Sequence, residues 1–410
     1  MKKKVVITGV GILSSIGIGR QAFREALFQG RIGFKPITLF DTSKYSVKTG
    51  GEITDFDPLA FLEKKGLREL DRSTRLVCSA AKLAIDDSKI IITESNTHSI
   101  GVSIGTTFGS LKSIAEFDRT SLIEGPRYVN PSFFPNTVIN SPASRLSIRF
   151  KIKGFNTTIS TGCCAGIDAI SYASDFISMA RADIVFAGAV EELCEDTFFI
   201  LQTMGCVSGT NGGKAQCCPF DARRNGIIFS EGSAVLTLEE ENHAIQRNAN
   251  ILGYISGYAN AFDYTSDGYF KCSGKGLENA IRLALKDAKL TTEDIDCIFS
   301  SANSTKELDV LETGVIKNVF GKKAYDIPIT AVKSMLGETY SAGGALACAS
   351  AVEALIHKTI PQTVNFEEKD PECDLDYVTE GVRKKDLTNI LILSTDFYGN
   401  NSVLIISRYG

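Results

Sequence analysis

Asn156-Thr-Thr-Ile-Ser-Thr-Gly-Cys-Cys-Ala-Gly-Ile-Asp168 is the stretch on which the reading of this chain turns. A short β-branched run passes into a glycine-bearing turn and then into small residues suited to a buried helix, so strand, turn and helix are expected in succession. Cys163 falls at or near the start of that helix. There the positive end of the helix dipole favours thiolate over thiol, and backbone N–H groups can hold a developing oxyanion. The competing reading is that Cys163 and Cys164 are inert packing residues, since free cysteine is often buried.

Outward from this centre, short apolar runs alternate with helical periods. Val5–Thr8, Ile100–Ile104, Asp183–Gly188, Ile295–Ser300, Ile390–Ser394 and Val403–Ile406 read as strands, and Arg20–Gln29 as a helix. That alternation predicts an α/β fold. The chain also echoes itself. Leu83-Ala-Ile-Asp-Asp-Ser-Lys-Ile90 recurs as Leu283-Ala-Leu-Lys-Asp-Ala-Lys-Leu290, and Cys163–Ile170 has a weaker counterpart in Ala342–Cys348, each entering a small-residue helix from a glycine turn. Two echoes in the same order predict a duplication joined in the charged stretch Glu239–Asn250, with residues 1–250 carrying the nucleophile and 251–410 forming the second half. Glu367–Lys385, charged and interrupted by Pro371, reads as a surface excursion before the last strands.

With 410 residues, 43% of them hydrophobic, there is material for a large core. A net charge of −4 and the lack of basic runs interleaved with aromatics argue against nucleic acid as a partner. The eleven cysteines are scattered, and the adjacent pairs Cys163–Cys164 and Cys217–Cys218 match neither a metal-ligand spacing nor a disulfide framework, so no metal is expected and a reducing cytoplasmic setting is. No apolar window reaches the roughly 18 residues of a membrane span. The start, Met1-Lys-Lys-Lys and then apolar residues, lacks a signal peptide's cleavage site. Gly9-Val-Gly11 follows the first strand, but the third glycine of a dinucleotide fingerprint would fall on Ser14, so no cofactor is expected.

The Cys163 segment resembles the Thr/Ser-Ala/Gly-Cys-x-x-Gly nucleophile motif of β-ketoacyl-acyl-carrier-protein synthases, with the family's cysteine on Cys163 and not on Cys164. The likeness continues through Val5–Ser15, Pro219-Phe-Asp-Ala-Arg-Arg-Asn-Gly226, Glu231-Gly-Ser-Ala234, Pro361–Asn365 and Cys373–Val378. It implies a thiolase-like fold of two duplicated α-β-α layered halves, acyl-carrier-protein or coenzyme A thioesters as partners, and a homodimer or a heterodimer with a second synthase-like subunit.

The chain also departs from that family. Elongating members use two histidines beside the cysteine, whereas the three histidines here, His98, His243 and His357, lie in neither motif. In Phe299-Ser-Ser-Ala-Asn-Ser-Thr305, Ser301 takes the first histidine's place and Asn303 that of a threonine. In Lys333-Ser-Met-Leu-Gly-Glu-Thr-Tyr-Ser-Ala-Gly-Gly344, Glu338 takes the second's. A carboxylate donates no hydrogen bond unless protonated, and when ionised near Cys163 it raises the thiol's pKa. Lys333, which the resemblance pairs with Glu312, would offset that charge; alternatively Glu338 serves as a general base. In Asp396-Phe-Tyr-Gly-Asn-Asn401 the resemblance makes Phe397 an aromatic gate whose N–H is the second oxyanion donor, and Asp396 and Tyr398 replace glycines, predicting a stiffer, more polar loop. Three activities fit: condensation with altered catalytic groups, acyl transfer to a non-carbon acceptor, and a non-catalytic partner resembling a chain-length factor. Retention of the cysteine favours the first.

Overall fold

Among the described residues, ten of the eleven strands of one mixed sheet follow one another across it, and they trace one five-strand pattern twice. The computed structural model describes residues 3–264 and 272–410. In the first half the strands are β1 (Val5–Ser14), β2 (Ile100–Gly105), β3 (Asn156–Ile159), β4 (Ile184–Glu191) and β5 (Gly232–Glu240). In the second they are β6 (Gly253–Phe262), β7 (Cys297–Phe299), β8 (Ile329–Thr330), β9 (Asn389–Thr395) and β10 (Asn400–Ser407). The first half is ordered β3-β2-β4-β5-β1 and the second β8-β7-β9-β10-β6, so the third, second, fourth, fifth and first strands of each half are neighbours in that order. The directions repeat too: the first three strands of each list are parallel and the last two pairings antiparallel. The halves join where β1 and β6 pair, Val6 opposite Tyr254 and Ile7 opposite Gly253.

Both sequence echoes acquire a packing role in this arrangement. The outer helices α1 (Arg72–Ser88) and α2 (Lys275–Ala288) end on Lys89 and Lys289, each with φ +57°. In both, the next residue's N–H returns to a carbonyl five back, Ile90 to Ile85 and Leu290 to Leu285, a Schellman closure repeated in both halves. A Cβ at Gly9 would lie 2.6 Å from Ala84 O and one at Gly257 2.6 Å from Ala284 O. The glycine pair of β1 therefore admits a helix to close range. Its role is packing, and it lengthens the expected Val5–Thr8 strand through to Ser14.

The inner helices α3 (Ala165–Ser178) and α4 (Ser341–His357) are the second echo, and they pack on each other. Gly166 faces Ser341 O and Gly344 faces Ile167, approaches of 2.4 and 2.8 Å for an added Cβ. Helix α4 is buried on every side from Ser341 to Leu355, which explains why its sequence carries no amphipathic period.

One expectation needs adjustment. Glu367–Lys385 is not wholly a surface excursion. Cys373, Leu375 and Tyr377 alternate inward, Tyr377 stacks on Phe220 at 3.9 Å, and its hydroxyl meets Thr313 at 2.8 Å. Alternation in a strand-like segment hides every second side chain despite the charges between. The stretch Glu239–Asn250 contains the end of β5 and a short helix, Glu241–Gln246, and Glu239 is buried against Thr8, His243 and Arg247. No helix among the described residues is long and apolar enough to cross a membrane.

Candidate active site

The carboxyl ends of the parallel strands converge on Cys163. It sits in the turn Gly162–Cys164, which connects β3 to α3. Gly162 takes φ +61°, a conformation glycine adopts at little cost. Cys163 is 1% exposed. Cys164 is committed elsewhere: its thiol points at the carbonyls of Ser394 and Asn400, 3.2 and 3.3 Å away. The two adjacent thiols therefore differ: that of Cys164 ties the start of α3 to β9 and β10.

The side chain of Cys163 packs in an apolar cluster with Phe198, Phe229, Leu193 and Tyr340, bordered by Phe108 and Phe397. The Tyr340 ring lies 5.1 Å from Phe108 and 5.8 Å, edge to face, from Phe229. Tyr340 holds φ +46°, uncommon for a bulky residue, and its N–H is fixed by Glu338 Oε1 at 2.9 Å. The loop bearing Phe108 is held from behind by buried Glu191, which accepts the N–H groups of Thr107 and Phe108 and the Ser341 hydroxyl at 2.8 Å. Burial raises the Glu191 carboxyl to about 7.

Glu338, Lys333 and Asn303 come together as one buried group. Glu338 Oε2 accepts Lys333 Nζ at 2.8 Å and Asn303 Nδ2 at 3.0 Å. Lys333 does not pair with Glu312 as expected; Glu312 accepts the hydroxyl of Ser300 and the N–H of Ser301. The reason is charge: with a glutamate at position 338, the ammonium finds a carboxylate beside it. Burial alone would lower the Lys333 pKa, but Glu338 and Cys163 outweigh it and leave the amine at about 12. Burial raises the Glu312 carboxyl to about 7, against the opposing Ser300 hydroxyl, Ser301 N–H and more distant Lys333 charge. Ser301 is buried at the same end of the sheet, its hydroxyl accepting the Thr395 N–H at 3.0 Å.

The loop between β9 and β10 closes the site and brings a correction. Asp396 Oδ2 accepts the N–H of Cys163 at 3.0 Å, and Oδ1 that of Tyr398 at 2.7 Å. A Cβ on Gly162 would come within 1.9 Å of the same carboxylate. The expected oxyanion donor is therefore held by an acidic side chain. The expected preference for thiolate is reversed as well. Burial, then the charges of Glu338 and Asp396, push the Cys163 thiol well above its ordinary pKa, with Lys333 opposing. One helix terminus cannot offset a desolvated anion facing two carboxylates. Phe397 borders the cysteine's cluster.

The histidines lie elsewhere: His98 before β2, His243 on Glu239, and His357 at the end of α4 beside Glu353. Sequence reasoning missed Tyr340 and the reach of Asp396. The signal for Asp396 was there, an acidic residue in a glycine position; nothing local marks Tyr340.

Comparison with known proteins shows the family and the fold. Residues 2–244 match the family model "Beta-ketoacyl synthase, N-terminal domain" and residues 252–367 "Beta-ketoacyl synthase, C-terminal domain". The chain is 35% identical over 414 residues to 3-oxoacyl-[acyl-carrier-protein] synthase 2 of Synechocystis sp., covering 100% of this chain and 99% of that one. It is 35% identical over 420 residues to the tetracenomycin polyketide synthase ketoacyl synthase alpha subunit of Streptomyces glaucescens, covering 99% and 97%. Among solved structures, the ishigamide ketosynthase/chain length factor superposes with a TM-score of 0.93 at 31% identity, covering 100% of both chains.

Proposed function

The chain belongs to the beta-ketoacyl synthase family, with its thiolase-type fold, and from that premise we propose that it is a condensing acyltransferase of fatty acid or polyketide-type biosynthesis whose acyl group rides on Cys163. The observation that carries this reading is a buried thiol packed in an apolar cluster and acted on by the charge of a carboxylate, Glu338, anchored by Lys333 and Asn303. Acyl-carrier protein or coenzyme A thioesters supply the acyl group. Residues 1–250 provide the nucleophile and 251–410 its partners.

In the second step Glu338 is the base. Its Oε1 removes a proton from the α-carbon of the acceptor thioester, the carbanion attacks the acyl carbonyl on Cys163, a carbon–carbon bond forms, and the Cys163–acyl bond breaks. The released thiolate recovers the proton from Glu338. Lys333 and Asn303 hold the carboxylate in place, and Ser301 positions the loop that carries Phe397 through Thr395. A homodimer, or a heterodimer with a second synthase-like subunit, is supported by the open edge strand β3 and by exposed Phe133, Phe134, Val138 and Ile139. Eleven free cysteines support a cytoplasmic setting. The occupied N–H of Cys163 favours a second reading, a non-catalytic partner subunit.

Intact mass after incubation with acyl-carrier protein separates these. An adduct on wild type and Cys164→Ala but absent from Cys163→Ala is expected; no adduct on wild type would leave the non-catalytic reading. With acyl enzyme in hand, Glu338→Gln should acylate normally yet form no condensation product, and unchanged turnover would remove Glu338 as base. Release of carbon dioxide from malonyl-carrier protein would instead mark ordinary elongation.

A further inference from the structure

We propose that Asp396 takes the proton of Cys163 during acyl loading and, in doing so, releases the Cys163 N–H to the thioester oxygen. This rests on the reading of Cys163 as acyl acceptor. Three observations lead to it. Asp396 Oδ2 occupies the Cys163 N–H at 3.0 Å, the position a developing oxyanion needs. The carboxylate is buried, 3% exposed, and is held by its own loop: the Tyr398 N–H meets Oδ1 at 2.7 Å, and the Asp396 N–H binds Asn400 O at 2.8 Å. Third, the helix terminus does not suffice to ionise this thiol, so acyl loading requires a base, and no histidine stands in either motif.

The titratable groups that act on the Asp396 site are the Cys163 and Cys164 thiols, Glu338, Tyr340 and Cys272. Lys333, bonded to Glu338, acts on the Cys163 thiol in the opposite direction to the carboxylates of Glu338 and Asp396. Burial raises the Asp396 carboxyl, which narrows the gap between acceptor and thiol.

The step balances. The thiol proton passes to Asp396 Oδ2 as Cys163 Sγ bonds to the acyl carbon. The neutral acid is a weaker acceptor, so it lets go of the Cys163 N–H, which then binds the new oxyanion. Collapse breaks the bond to the carrier's sulfur, and that leaving thiolate takes the proton back from Asp396. The carboxylate regains its charge.

The test compares wild type, Asp396→Asn and Asp396→Gly in two reactions at pH 7: acylation from an acyl N-acetylcysteamine thioester, and alkylation of Cys163 by iodoacetamide, both followed by intact mass. Alkylation needs a thiolate but no oxyanion donor. Removing the negative charge eases thiol ionisation, so Asp396→Asn should alkylate at least as fast as wild type yet acylate about 100-fold more slowly. A collapsed fold would not move the two rates apart. Asp396→Gly frees the N–H without supplying a base and should fall between the two. If Asp396→Asn acylates within threefold of wild type, or Asp396→Gly acylates faster than wild type, Asp396 only obstructs and the inference fails. If wild type takes no acyl group, the acyl-acceptor reading fails and this one with it.

Discussion

Replacing Lys333 by methionine should destabilise the protein by about 3–5 kcal/mol, because it strands a buried carboxylate. The ammonium lies 2.8 Å from Glu338 Oε2 and both side chains are almost wholly covered. At that separation an effective dielectric near 20 gives an attraction of about 6 kcal/mol, most of which only repays the desolvation of the two ions. Removing one ion leaves the other's penalty uncompensated. Removing both should cost far less, so Lys333→Met combined with Glu338→Gln is expected to lie about 2 kcal/mol or more below the sum of the singles. Urea unfolding at pH 7 measures all three, and high salt should change them little, since a covered pair is poorly screened. The same charges push the Cys163 thiol in opposite directions. Lys333→Met should therefore slow alkylation of Cys163 and Glu338→Gln should speed it. A cost below 1 kcal/mol for Lys333→Met, or strict additivity in the double variant, would refute the buried-pair account.

Two further outcomes follow from burial elsewhere. Glu192 accepts the N–H groups of Ser73 and Lys112 at 3.2 Å, and burial with the nearby Asp71 charge raises its carboxyl to about 8. The unfolded chain gives up that proton above about pH 4.5, so its contribution is present below that pH and lost as pH climbs through about 8. Urea unfolding at pH 5.5 and 8.5 should show Glu192→Gln flattening part of this decline, and an unchanged slope would argue that the carboxyl is already ionised. Gly11→Ala would place a Cβ 1.9 Å from Ala80 O, a backbone atom of α1 that cannot step aside. Loss of soluble protein, or a cost of several kcal/mol in thermal unfolding, is expected, whereas near-native stability would show that α1 can shift.

Much of the fold was legible because its signals are local. Strand runs, the two Lys-terminated helix ends and the small-residue helices repeat in the sequence as they repeat in the sheet. Boundaries were less legible: of Ile295–Ser300 only Cys297–Phe299 forms the strand, paired with β9 along its length and with the two-residue β8 at Ile298 and Phe299. The Glu367–Lys385 stretch looked solvated because its charges hide an inward-facing alternation.

By itself the amino-acid sequence determined the α/β alternation, the internal repeat, the location of Cys163 at a turn before a helix, and the presence of acidic residues where glycine or histidine was expected. Only the tertiary structure decided what those acidic residues do. Lys333 turned from Glu312 to Glu338, and Asp396 reached the N–H of Cys163 from 233 residues away. Periodicity and propensity act over a turn or two of chain, whereas the charge state of a buried thiol depends on whichever groups the packed halves bring against it. The nucleophile's position could thus be read from residues beside it, and its restraint could not.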